Sequence, residues 1–443
     1  MSIDLSEGDI NSSPFREEWQ ARCLGEDTRR LLEEDAQYFL HQALSTPCLN
    51  VLSVSEGSAV FDHEGRRYLD FHGNAAHQVG FRNPSVVKAI TDQLATLPFS
   101  PRRFTNEPAI ALARRLCERA PMSDARILFA PGGAEVNSMA LQYARQATGR
   151  FKTISFWEAF HGGTLDTIGV GGEAMFRAHS GPLLPGSIHV PPPGVQASSW
   201  EESVSHIEYV MAHEGNIGAF IAEPIRCTNM SQPPAEYWQA VRALCDDHGA
   251  LLIFDEIPIG LGRSGHFFCC EYTGIQPDIV TLGKGLGGGI VPLAAMIARA
   301  DLNIEASSSI GHFTHEKNPV ACAAGLAALD YIDEHGLVQC AQEKGALLLA
   351  RLSELAQRHA CIAAVRGMGL LLAIELDSKH AAVRTEDLTD QMLYGCLERG
   401  LNFKTSGGRV IILTPPLTVS DDEIDEAVSI LDDTFTAVCG SAE

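Results

Sequence analysis

From about residue 95 to residue 325, short apolar runs alternate with longer amphipathic segments. The clearest runs are "ARILFA" (125–130), "KTISFW" (152–157), "IGAFIAEPI" (217–225), "ALLIFDEI" (250–257) and "DIVTLG" (278–283). They are apolar almost throughout, not at every second position, as strands buried on both faces are. Strands of that kind separated by helical patterns make βα units and a mainly parallel sheet. A sheet wound in this way binds its ligands beyond the carboxyl ends of its strands. Chemistry is therefore to be sought where each run stops.

The flanks read differently. Residues 1–50 form an N-terminal arm with helical spacing in "DTRRLLEEDAQYFLHQAL", and a hairpin-like "SAVFDHEGRRYLDF" follows, turning at Glu64 and Gly65. After "KNPVACAAGLAALDYI" comes a smaller α+β module, with helices around 337–358 and 385–399 and strands in "GLLLAIEL" and "RVIILTPPL". A chain of 443 residues is expected to form more than one lobe. The divisions expected are 1–94 for the arm and a small-domain segment, 95–330 for a large domain, and 331–443 for a C-terminal small domain.

Composition narrows the function classes. Acidic residues number 56 against 33 basic ones, and the net charge of −23 disfavours nucleic acid or an anionic membrane as partner. No run approaches the roughly eighteen apolar residues of a membrane helix. The N-terminus is polar and acidic with no secretion signal, so a cytoplasmic protein is expected. The twelve cysteines form no CxxC and there is no HExxH, so reduced thiols and no metal site are expected.

What the strand ends deliver is specific. "DIVTLG" stops at Lys284, which is followed by four glycines in five positions. Glycines beside a functional group mark a close approach to the backbone or a positive φ. "LLIFDEI" delivers Asp255 and Glu256, and "ARILFA" runs into "PGGAEVN", where Val136, Met139, Ala140 and Tyr143 keep one helical face. A glycine turn opening a helix after a buried strand is a cradle for an anion. "KTISFW" leads to Phe160 and His161 in "EAFHGGT". A lysine, a buried carboxylate, a phosphate cradle and an aromatic face are together the requirements of pyridoxal 5′-phosphate. "GLGRSG" (260–265) fits the dinucleotide pattern GxGxxG, but Pro258 and Ile259 separate it from Asp255 and no helix follows, so a loop is expected.

Over nearly its whole length the chain resembles the class III aminotransferases among the fold-type I pyridoxal-phosphate enzymes. The resemblance implies an α/β fold, with a large domain on a mainly parallel seven-stranded sheet and a small α+β domain. It implies Lys284 as the Schiff-base lysine and Asp255 as the partner of the pyridine nitrogen. Gly132, Gly133 and Ala134 match the phosphate loop, Phe160 the stacking aromatic with His161 beside it, and Glu223 of "AEPI" a glutamate near the cofactor. Thr314 of "GHFTHEKNP" matches a threonine that reaches the neighbouring subunit's phosphate, which implies a homodimer with shared active sites.

The departures from that family concern the substrate. "DEIP" stands where "DEVQ" is usual, the phosphate loop lacks its serine, "RCTNM" follows "AEPI", and "THEKNP" replaces "TFSGNP". The variable parts favour a small anionic amine. They carry His72 and His77 in "FHGNAAHQVGF", Arg102 and Arg103 in "PFSPRRFTN", and Arg226, Lys317 and Lys404. Adjacent arginines match the oxygens of a phosphonate or carboxylate. "FHGNAAHQVGF", "SPRRFTN" and "DEIP" together resemble a divergent subgroup of class III, the (R)-1-hydroxy-2-aminoethylphosphonate ammonia-lyases of phosphonate breakdown. The activity implied is release of ammonia and phosphonoacetaldehyde. The alternatives are an aminotransferase of an ω-amine or aminophosphonate with a keto acid acceptor, and a racemase or aminomutase of the same class. A binding protein that keeps the fold without turnover is opposed by the intact Lys284 and Asp255.

Overall fold

The computed structural model describes residues 12–194, 199–302, 308–378 and 384–439. These fall into two compact units. One comprises Pro84–Cys227 and Ser231–Val338; the other comprises the described residues up to Asn83, Thr228–Met230 and the described residues from Gln339 on.

The first unit is built on a seven-stranded sheet. Its order is Ala125–Ala130, Ala294–Arg299, Ile279–Leu282, Leu251–Asp255, Ile217–Ala222, Lys152–Phe156 and Ser187–Val190. The last five run parallel. Ala294–Arg299 pairs antiparallel with both of its neighbours. Only residues 283–293 separate it from Ile279–Leu282, and they form a tight turn where a parallel return would need a crossover of about a dozen residues or more. The expected mainly parallel seven-stranded sheet is thus present, with one strand reversed.

The helix Gly133–Thr148 begins just beyond the carboxyl end of Ala125–Ala130. Its Val136, Met139, Ala140 and Tyr143 are buried against Ile221, Ile253, Ile279 and Met296 of the sheet. Each large side chain buried there contributes about 1.5–3 kcal/mol. The helical face read from the sequence is therefore the one that packs, and packing fixes the helix start at the strand ends.

The second unit carries two four-stranded sheets. Leu52–Glu56, Ala59–Asp62, Arg67–Asp70 and Leu401–Asn402 form one; Ile362–Met368, Leu371–Leu376, Val410–Leu413 and Lys404–Ser406 form the other. The hairpin at 58–71 is present, with Phe61 opposite Arg67. In the arm, the helix that begins at Glu26 ends at Tyr38, short of Leu44. Tyr38, Phe39 and Leu40 are consecutive, cannot share one helical face, and are all exposed. Among the described residues no helix is long and apolar enough to cross a membrane.

Glycine is required where the first unit closes around the turn after Leu282. Gly288 has φ +68°, and a Cβ there would lie 2.6 Å from Cγ1 of Val86 on the helix Pro84–Thr96. Gly288→Ala is expected to lower stability by about 1–3 kcal/mol, read as a shifted denaturant midpoint. An unchanged midpoint would mean that the helix does not press on this turn.

Candidate active site

Lys284 opens the single 3₁₀ turn Lys284–Gly287 directly after Ile279–Leu282, and its own φ is +46°. Such a value is uncommon for a residue with a side chain. The side chain is exposed, and among the described residues no hydrogen bond or ion pair engages its amine. The glycines around it have a steric reason. A Cβ on Gly283 would stand 3.2 Å from Cγ2 of Ile257, and one on Gly133 would stand 2.9 Å from Cδ1 of the same side chain. Ile257 of "DEIP" thus lies between the glycine before the lysine and the glycine that opens the helix.

Asp255 ends the fully buried strand Leu251–Asp255, opposite Thr281 on the next strand. Its Oδ2 accepts from Asn137 Nδ2 at 2.7 Å and from His161 Nδ1 at 2.9 Å, and its Oδ1 accepts from the Ile257 amide at 3.1 Å. Asn137 Nδ2 also donates to the His161 carbonyl at 2.8 Å, and Asn137 Oδ1 accepts from the Thr281 hydroxyl at 2.8 Å. All four residues are buried, and His161 Nε2 is buried with no hydrogen-bond partner.

The anion cradle is present as backbone. Gly132 caps the Gly133–Thr148 helix in an extended conformation with no side-chain cap bond. The first helical hydrogen bond runs from the Val136 amide to the Gly132 carbonyl, 3.2 Å. The amides of Gly133, Ala134 and Glu135 precede it at the positive end of the helix, with no acceptor within it. Gly162, with φ +134°, would place a Cβ 2.6 Å from that of Ala134, so the Phe160–His161 turn is pressed against this loop. The Phe160 ring is 40% exposed and packs on Phe176, centroids 4.5 Å apart.

Two more carboxyl groups adjoin. Glu223, just past Ile217–Ala222, accepts from the Cys227 amide at 2.9 Å. Burial, and then the nearby Asp255 charge, push its carboxyl above the ordinary carboxylate range. Glu256 accepts from the amides of Cys269 and Cys270 at 2.6 and 2.7 Å, and burial pushes it up to about 7.

The basic residues are placed unevenly. Arg226 is tied to Glu158 at 2.6 Å and to Glu173 at 3.6 Å. Arg102 donates to Glu316 at 2.8 Å and also contacts His312. Arg103 and Thr314 are exposed, with no hydrogen-bond or ion-pair partner among the described residues. His72, His77 and Lys404 belong to the other unit. There His77 is buried, with Nε2 3.0 Å from the Asp70 carbonyl and its ring against Phe81. His72 is partly buried, and Lys404 begins the strand Lys404–Ser406. "GLGRSG" is a series of turns, with Gly262 at φ +92° and Gly265 at φ +81° and no helix after them. The first unit thus gathers Asp255, His161, Phe160, Glu223, the Gly132–Ala134 loop and the turn that carries Lys284. Sequence reasoning missed Asn137 and Thr281; the available signal was a polar residue on an otherwise buried face.

A fold of this kind, with a lysine, a carboxylate and an uncapped helix start at adjoining strand ends, defines a fold-type I pyridoxal-phosphate enzyme. The chain belongs to the class III aminotransferase family, whose model matches residues 41–435. It is similar to the (R)-1-hydroxy-2-aminoethylphosphonate ammonia-lyase of Vibrio splendidus, 42% identical over 99% of this chain and 96% of that protein. It is also similar to an acetylornithine aminotransferase of Caldanaerobacter subterraneus, 33% identical over 88% of this chain and 95% of the other. Among solved structures it resembles an amine transaminase from an uncultivated Pseudomonas species in its PLP-bound form, with TM-score 0.83 and 31% identity over 90% of this chain and 99% of that one.

Pyridoxal 5′-phosphate is the cofactor, and the residues present fit it. The free amides at the helix start suit a phosphate. Asp255 Oδ1 has one protein donor where Oδ2 has two, which leaves an acceptor position for a ring N–H. The amine of Lys284 is unengaged.

Glu256 gives a pH signature of its own. Its folded value of about 7 lies above the ordinary 4.5, so the unfolded chain loses this proton first as pH rises. Stability is therefore lost between pH 4.5 and about 7. Glu256→Gln should flatten this part of the stability–pH curve while lowering stability overall, because one amide loses its acceptor. An unaltered slope in denaturant unfolding would contradict the assignment.

Proposed function

We propose that the chain is a pyridoxal-phosphate-dependent ammonia-lyase. Its substrate is a small hydroxylated aminophosphonate, (R)-1-hydroxy-2-aminoethylphosphonate, and its products are phosphonoacetaldehyde and ammonia. The observation that carries this reading is the 42% identity, across 99% of the chain, to a protein of that activity, against 33% over 88% for the acetylornithine aminotransferase.

When bound, pyridoxal phosphate supplies an electron sink that makes the proton on the amine-bearing carbon removable. The amides of Gly133, Ala134 and Glu135 hold its phosphate, Asp255 holds a proton at its ring nitrogen, and the Phe160 ring covers one face. Lys284 is the proton carrier: its amine takes the proton from the amine-bearing carbon and returns one to the departing hydroxyl. One water leaves with that hydroxyl. The resulting enamine becomes an imine, and a second water splits it into ammonia and phosphonoacetaldehyde.

Arg103, exposed and without a partner, is the guanidinium best suited to the substrate's anionic group, whereas Arg226 is already neutralised by two carboxylates. Assembly as a homodimer is supported by the exposed large apolar side chains Leu94, Leu97, Phe99, Phe104, Ile110 and Ile290 in the first unit. Thr314, exposed and unengaged, suits a role toward a neighbouring subunit's phosphate. The second reading, an aminotransferase with a keto acid acceptor, is favoured by the acetylornithine aminotransferase relative.

With purified enzyme, 2-amino-1-hydroxyethylphosphonate and no keto acid, many ammonia molecules per active site are expected, with phosphonoacetaldehyde accumulating. A single conversion of the cofactor to its amine form, without free ammonia, would establish the aminotransferase. Lys284→Ala should abolish turnover, and full activity in that variant would refute the mechanism. Arg103→Ala should chiefly raise KM, by about tenfold or more for a lost charged hydrogen bond. Unchanged kinetics would remove Arg103 from substrate binding.

A further inference from the structure

We propose that Asn137 and Thr281 are positioning residues for Asp255, and that the tie they form sets which carboxylate oxygen meets the cofactor's ring nitrogen. The proposal rests on the reading of Asp255 as the partner of that nitrogen.

The Asp255 carboxylate has about four acceptor positions, and the protein fills three of them. Two are on Oδ2, from Asn137 and His161, and one is on Oδ1, from the Ile257 amide. The remaining position is on Oδ1. Turning the carboxylate over would break the paired bonds on Oδ2, and buried donors left without acceptors are costly.

Asn137 itself can face either way, since the two ends of a carboxamide have nearly the same shape. Thr281 decides between them. Its hydroxyl donates to Asn137 Oδ1, so the NH₂ end points at Asp255 and uses its second hydrogen on the His161 carbonyl. Reversed, the amide would set its oxygen against a carboxylate and a carbonyl at once. Thr281 has no freedom to withdraw: it lies opposite Asp255 in the strand register, its carbonyl accepts from the Glu256 amide at 3.0 Å, and it is completely buried.

The tie also crosses the elements that the cofactor would bridge. Thr281 lies on the strand leading to Lys284, Asn137 on the helix whose start is the phosphate cradle, and Asp255 at the end of the strand between. One chain of buried hydrogen bonds thus holds the three points of attachment in register.

The test uses Thr281→Val, which keeps the shape and removes the hydroxyl, and Thr281→Ser, which keeps the hydroxyl. The readouts are the Kd for pyridoxal phosphate on reconstituting the apoenzyme and the pH at which the absorption band of the bound cofactor changes. Thr281→Val should weaken cofactor binding by about tenfold and move the band's titration, while Thr281→Ser should stay near the parent on both. A parental Kd and band in Thr281→Val would overturn the proposal. Asp255→Ala is the control for the underlying reading. If it too leaves both readouts unchanged, the role of Asp255 is wrong; if it alters them while Thr281→Val does not, only the positioning role falls. Should Thr281→Val fail to fold, Asn137→Asp takes its place. It keeps the size and sets a second carboxyl against Asp255, so a weaker Kd and a moved band are expected, and parental values would overturn the proposal.

Discussion

A carboxyl group at the end of a strand buried on both faces must be met by donors that the sheet cannot supply. At Asp255 the strand's hydrogen bonds are already spent on its neighbours, so the donors arrive from elsewhere. His161 comes from the loop after Lys152–Phe156, Asn137 from the helix Gly133–Thr148, and the Ile257 amide from the turn that follows. Satisfying one buried acceptor therefore draws a helix, a loop and a turn to the same place. That is where the lysine-bearing turn emerges from the next strand. The concentration of chemistry at this edge follows from the need to pair a buried acid.

Close approach does the rest, and it depends on what is missing. The helix that cradles an anion has neither a serine in its loop nor a side-chain cap, so its first amides face outward unspent. A capping hydroxyl would satisfy one of those donors and typically adds about 1 kcal/mol of stability. Forgoing it leaves more donors for a phosphate. The same substitution of space for side chain recurs around Ile257 and between Gly162 and Ala134, where an added Cβ would meet a neighbour at 2.6–3.2 Å. The glycines around Lys284 are in this sense a packing requirement of the turns beside it. Their effect is that a flexible amine stands on a rigid base.

Much of this was legible in the residues because burial leaves a pattern. Runs apolar throughout became strands, the Val136–Tyr143 face became the packed side of the helix, and the strand-end rule singled out Lys284 and Asp255. Strand direction was not legible, because apolarity is the same forwards and backwards; Ala294–Arg299 is reversed because the turn before it is short. Partners remote in sequence were hidden for the same kind of reason. Arg226 reads as a free cation until Glu158 is seen beside it, 68 residues away, and Arg102 meets Glu316 across 214. Asn137 and Thr281 look like ordinary residues of a helix and a strand. What marks them, a polar group completely buried, appears only once the faces are known.

The family's reaction types differ less in how they begin than in how they end, and the departures of this chain lie where the ending is decided. The cradle, Asp255 and the lysine serve any reaction that starts by loosening a proton next to an amine. An aminotransferase must then admit a second substrate to the same space, which favours a site whose charged groups can rearrange. Here Arg226, after "AEPI", is held by Glu158 and Glu173 and only partly exposed, so its charge is committed to the protein. Pro258 has neither an amide side chain nor an N–H to give, and the side chain before it is wedged between two glycines. Fixed groups of this kind suit a reaction that holds one anionic substrate in one pose while a neighbouring hydroxyl departs. On the proposed reading, the rigidity that removes room for an acceptor is also what keeps the proton carrier and the leaving group in reach of each other.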